Sequence, residues 1–295
     1  MTASIGKFLV AVVKVRAIRL QDLSFRRQAD VNTKWAGSNS ELPAADSKRK
    51  GNFLMGVRLW KRDYEIIEQC NSGMFRTGQL ARLFFSSRKK CAERMMKLWK
   101  AGFVSRFQAP LMDVRGKPEY VYCRKGKGVR RGYGWVRHGL GVSEFFVWVS
   151  VALRTQKVLQ ARFISFGNVF GGLIVPDAVL VLSKGERSLL NFVEVDFGTE
   201  SLKSGRGYSF GDKIDLYAEY FDCEEYRKDF DEGFRGFRVL AVFESHKRMK
   251  NYLDIAKDKG CDFVLCTTFE ALNKAELLCK CWADIKGKEV DVVGK

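Results

Sequence analysis

The sequence predicts an α/β fold, α+β over the whole chain, in which a winged helix precedes a larger domain with a mixed sheet. Three observations carry this expectation. Between residues 60 and 102 apolar side chains recur at helical spacing, and two strand patterns follow, which is the order of a winged helix. Beyond residue 131, strand-like and helix-like stretches alternate, as they do in α/β layers. The 295 residues are 46% hydrophobic with only 4 Pro, enough apolar material to bury a core and to exclude general disorder.

Residues 1–58 show no clear periodicity. The polar and basic stretches at 37–43 and 47–51 read as a basic arm or linker, and no fold is assigned to them. Residues 59–130 form the expected winged helix. Tyr64, Ile66, Ile67 and Cys70 mark a first helix, closed by Asn71, Ser72 and Gly73. Thr77 is placed to cap a short helix carrying Leu80, Leu83 and Phe84. Ser86 or Ser87 caps a third helix that runs through Met95, Met96, Leu98 and Trp99 to Gly102. Residues 103–107 and 119–122 read as strands joined by a turn at 113–118. In the domain over 131–295, the spacing predicts a helix over 143–156 and strands over 173–182 and 189–197 across a turn at 183–186. A helix over 209–221, a strand over 237–243, a helix over 247–257, a strand over 263–266 and a helix over 269–281 follow.

Charge narrows the function. There are 52 Lys+Arg against 34 Asp+Glu, a formal net charge of +18, and such an excess suits phosphate backbones or anionic lipid. Lipid is the weaker choice. The apolar run at 8–13 is about a third of the roughly 20 residues a spanning helix needs, and Lys14 and Arg16 stop it, so neither an anchor nor a signal peptide is expected. The 8 Cys include no CxxC pair and there are only 2 His, which rules out a zinc-finger framework and argues for reduced thiols in a cytoplasmic protein. Two histidines, His138 and His246, also leave little room for Ser–His–Asp or Cys–His catalysis.

The segment 86–131 concentrates the charge, with 14 Lys+Arg opposed only by Glu93, Asp113 and Glu119. A recognition helix puts its N-terminal residues at base edges while flanking cations hold phosphates. Arg88, Lys89, Lys90 and Arg94 lie where that geometry needs them, and Arg115 and Lys117 fall at the wing tip. Double-stranded DNA is therefore the expected partner. A second signal is Pro176-Asp177 on one strand and Glu194-Val195-Asp196 on the next. Strand alternation puts Glu194 and Asp196 on one face, and pairing through the short turn brings Asp177 toward Glu194. Clustered carboxylates repel, and oxygen ligands at this density suit Mg²⁺.

The run Glu194-Val195-Asp196-Phe197-Gly198-Thr199-Glu200, after Pro176-Asp177 and before Lys213-Ile214-Asp215-Leu216-Tyr217, resembles the replication-relaxation proteins of plasmids and mobile elements. The upstream His138-Gly139-Leu140-Gly141-Val142-Ser143-Glu144 resembles the helix start that precedes their core. The resemblance covers roughly residues 60–245 and implies a nuclease-like core of the PD-(D/E)xK type. It makes Asp177 and Glu194 the metal ligands, with Asp196 beside them, and Glu144 an accessory acid. The chain departs from the pattern where an active nuclease carries Lys, two residues after Glu194. Asp196 stands there, and Lys213 on the following helix is the candidate to supply the missing cation. The implied function is Mg²⁺-dependent cleavage or nicking of DNA in replication or relaxation of a mobile element. The alternative is a non-catalytic DNA-binding replication or transcription regulator with an inactive nuclease-like domain.

Overall fold

In the computed structural model, residues 13–15, 53–54, 57–108, 119–126, 133–155, 159–165, 169–198, 201–202, 209–230, 233–274 and 281–292 are described. Within the segment left without a fold by its sequence lie β1 (Val13–Val15) and an antiparallel pair, β2 (Phe53–Leu54) and β3 (Val57–Arg58). The 37–51 linker lies outside the described residues, as do Arg115, Lys117, Arg130, Arg131, Thr199, Glu200 and Cys279.

The next six elements follow the order of a winged helix: α1 (Lys61–Ser72), β4 (Phe75–Arg76), α2 (Thr77–Phe84), α3 (Arg88–Lys100), β5 (Val104–Gln108) and β6 (Tyr120–Arg124). Side chains near each helix start satisfy backbone donors that the chain reversal leaves unpaired. Asp63 accepts from the Trp60 amide at 2.7 Å, Gln79 from the Arg76 amide at 2.8 Å, and Ser87 from the Lys90 amide at 3.3 Å. The expected cap Thr77 is instead the first helical residue of α2. Strands β4, β6 and β5 pair in that order, all antiparallel.

The remaining chain builds one sheet. Its strands are β7 (Leu159–Ser165), β8 (Ala178–Lys184), β9 (Arg187–Asp196), β10 (Phe237–Phe243), β11 (Val264–Thr268), β12 (Trp282–Ala283) and β13 (Glu289–Val290). Together with β1 they lie in the order β1-β7-β8-β9-β10-β11-β12-β13, parallel only from β9 to β11. Helices α4 (Tyr133–Thr155) and α8 (Phe269–Lys274) cover one face. Helices α5 (Asp212–Asp222), α6 (Tyr226–Asp229) and α7 (His246–Asp258) belong to the other. Strand alternation divides the core accordingly. Leu180, Leu182, Val193, Val195, Leu240 and Val242 pack with α4. Val179, Val181, Leu190, Phe192, Val239 and Ala241 pack with α5 and α7. This is the expected mixed α/β class.

Two differences from the sequence expectation have physical causes. Helix α4 begins at Tyr133, ten residues before the expected start, and runs through Gly139 and Gly141, which disfavour a helix by about 0.8–1.0 kcal/mol each relative to Ala. Packing requires both glycines: a Cβ at Gly141 would enter the Phe197 ring, and one at Gly139 would meet the Met74 methyl. Strand β8 starts at Ala178 rather than 173, because Gly171 and Gly172 take left-handed conformations (φ 55° and 69°) and turn the chain, closed by the Phe170 amide on the Ile174 carbonyl at 2.9 Å. Strand β7 had no distinguishing sequence pattern and was not expected.

From Phe145 to Val149 every residue of α4 is buried. A helix apolar all round is covered on all sides. One side faces the sheet, and the other faces the unit of α1–α3 and β4–β6, whose Ile66, Phe75, Leu80 and Leu83 share a continuous core with Phe146 and Val149. Arg154 reinforces the contact by donating to the Arg82 carbonyl at 3.0 Å and to the Leu83 carbonyl.

Candidate functional site

The β8–β9 hairpin fixes the first two acids. Ala178 is paired with Val193, so Asp177, just before β8, lies across from Glu194. Its amide donates to the Val193 carbonyl at 3.0 Å, and its Oδ2 accepts from the Val195 amide at 2.7 Å. The other oxygen, Oδ1, lies 2.8 Å from Nε2 of His138 on α4. Glu194 points toward α5 and is 1% exposed. Lys213 and Tyr217, one turn apart on α5, close on it from that side. Lys213 Nζ donates to Oε2 at 2.8 Å, and the Tyr217 hydroxyl to Oε1 at 2.7 Å.

Electrostatics tie these groups together. Burial pushes the Glu194 carboxyl up to about 7, with the charge of Asp177 acting in the same direction and Lys213 against it. Burial lowers the His138 pKa, but the hydrogen bond and charge of Asp177 outweigh it, so the net shift is upward. The Tyr217 phenol is raised by burial and by Glu194, which keeps it a hydrogen-bond donor. His138, Asp177, Glu194, Lys213 and Tyr217 thus form one cluster at the end of the hairpin, reached from both faces of the sheet.

Two expected members stand elsewhere. Asp196 shares the face of Glu194, as strand alternation requires, but Arg248 of α7 holds it, with Nη2 to Oδ1 at 3.1 Å and a closer contact from Nε. The Gly198 amide donates to the same carboxylate at 2.8 Å. Glu144 is no accessory acid of this cluster. It follows His138 by six residues, which places it about 120° round the helix and about 9 Å along it. There it accepts from Gln79 at 2.9 Å and pairs with Arg82, joining α4 to α2. His138 and Tyr217 sat inside the motifs His138–Glu144 and Lys213–Tyr217 without a role assigned. Arg248 had no sequence signal at all.

Among the described residues, no three His, Cys, Asp or Glu side chains gather as a metal shell. The two carboxylates are still a donor set that fits Mg²⁺, which binds through one or two carboxylates and completes its octahedron with water and substrate phosphate. Three of the four oxygens accept one described hydrogen bond each, and the fourth, Asp177 Oδ1, shares one with His138 Nε2, so each keeps a second lone pair.

In the α1–α3 unit, Arg88, Lys89 and Lys90 are exposed in the first turn of α3. Three cations at the positive end of a helix dipole oppose it. Arg88 is partly neutralised by Glu119 at 3.0 Å. Arg94 departs from its expected role: its Nε donates to Asp63 Oδ1 at 2.9 Å and its Nη2 to the Arg58 carbonyl at 2.6 Å, so the guanidinium is turned inward and does not face a groove.

The family model for replication-relaxation matches residues 71–235. The chain belongs to the replication-relaxation family. The match runs from the end of α1 past α6, so the family region holds α3 and the whole His138–Asp177–Glu194–Lys213–Tyr217 cluster, while Arg248 lies beyond it. No curated protein matches the chain. Among solved structures the chain is similar to restriction endonuclease FokI, with 13% identity and a TM-score of 0.28, over 72% of this chain and 42% of that one. This family member therefore spans less than half the length of FokI. Among the described residues, no helix is long and apolar enough to cross a membrane.

Proposed function

We propose that this replication-relaxation protein binds duplex DNA through α3 and hydrolyses or nicks a phosphodiester at the Asp177–Glu194 cluster with Mg²⁺. The observation that carries the reading is the burial of Glu194 beside a second carboxylate, held by one ammonium and one phenol. A desolvated acid next to a like charge lowers stability, and functional sites are where such arrangements concentrate. Asp177 and Glu194 would hold the cation. Bound there, Mg²⁺ supplies charge to polarise a phosphodiester and to lower the pKa of water. Lys213 is placed to face the developing phosphate charge, and His138 holds or releases a proton at Nε2 beside Asp177. The exposed cations of α3 support duplex binding through phosphate contacts, and affinity should fall steeply with salt.

Incubating supercoiled plasmid with protein and Mg²⁺ tests the reading. Open-circle product is expected from the parent, and Asp177→Asn should abolish it while duplex affinity stays unchanged. Lys213→Ala should slow nicking and leave metal binding largely intact. Undiminished nicking by Asp177→Asn would remove these carboxylates from the reaction. A second reading, a non-catalytic regulator, is favoured by one observation: Asp196, where an active nuclease carries Lys, is consumed in an ion pair with Arg248. Duplex binding without nicking in either Mg²⁺ or Mn²⁺ would establish that alternative.

A further inference from the structure

A cleft of about 250 Å³ opens between α1 and α3. It is lined by Arg62 of α1, by Phe85 just after α2, and by Lys90, Glu93, Arg94 and Lys97 of α3. Helix geometry puts Lys90, Arg94 and Lys97 on one stripe within about 60°, whereas Lys89 lies about 100° round the axis from Lys90. Arg94, turned inward onto the buried Asp63, forms the floor and is neutralised there. Among the described residues, Arg62, Lys90 and Lys97 form no ion pair, and neither does Glu93. Like charges three and four residues apart destabilise a helix, so folding alone does not explain this row.

A second observation separates the cleft from an ordinary solvated charge run. The Arg62 guanidinium lies over the Phe85 ring, 4.1 Å from its centroid. Phe85 is itself partly buried against the core, so its ring serves to hold the guanidinium rather than to stack a base. Stacking fixes the plane of the guanidinium and leaves its N–H edge as a fork for two oxygens of a phosphate or a carboxylate. Length and charge decide between those two. From Lys90 to Lys97 the stripe runs about 10 Å, the rise of three nucleotides of one strand at about 3.4 Å each. A strand carries a negative charge at every step whatever its sequence, and the stripe adjoins the exposed Arg88 and Lys89.

We propose that the α1–α3 cleft binds backbone phosphates of one DNA strand, with Arg62, Lys90 and Lys97 as donors and Phe85 as the support of Arg62. The inference deepens the proposed function and rests on duplex DNA being the partner of α3. It moves Lys90 from base edges to the backbone, where contacts set position without reading sequence.

The test uses the full chain and two fluorescent duplexes of unrelated sequence, titrated between about 50 and 200 mM salt. Each phosphate contact adds about 0.9 to the slope of log affinity on log salt. Arg62→Ala and Lys97→Ala should each lower the slope by that amount, shrinking the affinity lost over this range about 3.5-fold, equally on both duplexes. Glu93→Gln removes the opposing charge and should bind both duplexes about 2-fold more tightly at the low-salt end, a gain that damage to the fold does not produce. The site is overturned if Arg62→Ala and Lys97→Ala keep the parent's slope, or if their loss is confined to one duplex. It is equally overturned if poly-Glu binds the parent as tightly as the duplexes at equal salt, since the occupant would then be an acidic partner. Lys89→Ala as the one variant with a lowered slope sinks the cleft and leaves duplex binding by the first turn of α3. Plasmid nicking, scored separately on the parent, keeps the two readings apart: lowered slopes in the cleft variants with no nicking by the parent sink cleavage and leave the cleft.

Discussion

The carboxylate of Asp63 is fully buried at the start of α1 and accepts from the Trp60 amide and from Arg94, whose guanidinium also reaches the Arg58 carbonyl. Removing one member of a buried pair leaves the other charged and unsolvated, which typically destabilises by about 3–5 kcal/mol. Asp63→Ala should therefore shift the urea midpoint strongly downward with little change in slope. Lys89→Ala, on the exposed first turn of α3, should leave the midpoint in place and weaken duplex binding. Nothing in the sequence separated Arg94 from Lys90, its neighbour four residues earlier on the same helix. The partner that turns Arg94 inward lies 31 residues away, on another helix. Asp177 and Glu194 were legible for the opposite reason: a hairpin with a short turn makes their proximity local, and register follows from the turn. His138 reaches the same site from across the sheet, and a single sequence carries no pairing signal of that range.

At the scale of the element, α4 repeats the lesson. The spacing placed its start at residue 143, beyond Gly139 and Gly141, because propensity counts the backbone and not the neighbours. At Gly141 the neighbour is the Phe197 ring, immediately after the strand that carries Glu194 and Asp196. Gly141→Ala gains about 1 kcal/mol of helix propensity but places a methyl inside that ring, and overpacking typically costs about 1–3 kcal/mol. The clash is expected to win. Thermal unfolding of Gly141→Ala should occur below the parent, and Phe197→Leu in the same chain should recover part of the loss. A destabilisation unaffected by Phe197→Leu would mean that another contact limits this position. The capped helices α1 and α3, with their regular apolar spacing, were read nearly to the residue, and so were the strands of the parallel core. Strand β7 and the β1 edge were not, since short apolar runs look alike whether they end in a sheet or a helix.

At the scale of the molecule, α4 decides how many folding units there are. Its buried stretch from Phe145 to Val149 belongs at once to the sheet core and to the core that holds Ile66, Leu80 and Leu83. Arg82 with Glu144, and Arg154 with the carbonyls at the end of α2, add polar contacts across the same boundary. If the unit of α1–α3 and β4–β6 unfolded first, the apolar outer side of α4 would be left in water. The burial term is roughly 25 cal/mol per Å², so exposing several of these side chains costs several kcal/mol. The whole chain is then expected to unfold in a single transition, with the ellipticity of the helices and the fluorescence of Trp148 following the same curve in denaturant. Trp148 is a suitable reporter because its indole nitrogen donates to the Leu272 carbonyl at 2.6 Å, within the sheet side of the core. Tests of two-state behaviour rest on such coincidence of probes. Duplex affinity, which the proposed function assigns to the first turn of α3, supplies a third probe. Loss of DNA binding at a lower denaturant concentration than the tryptophan change would show that the α1–α3 unit separates first, and the shared core would then be no barrier between the two.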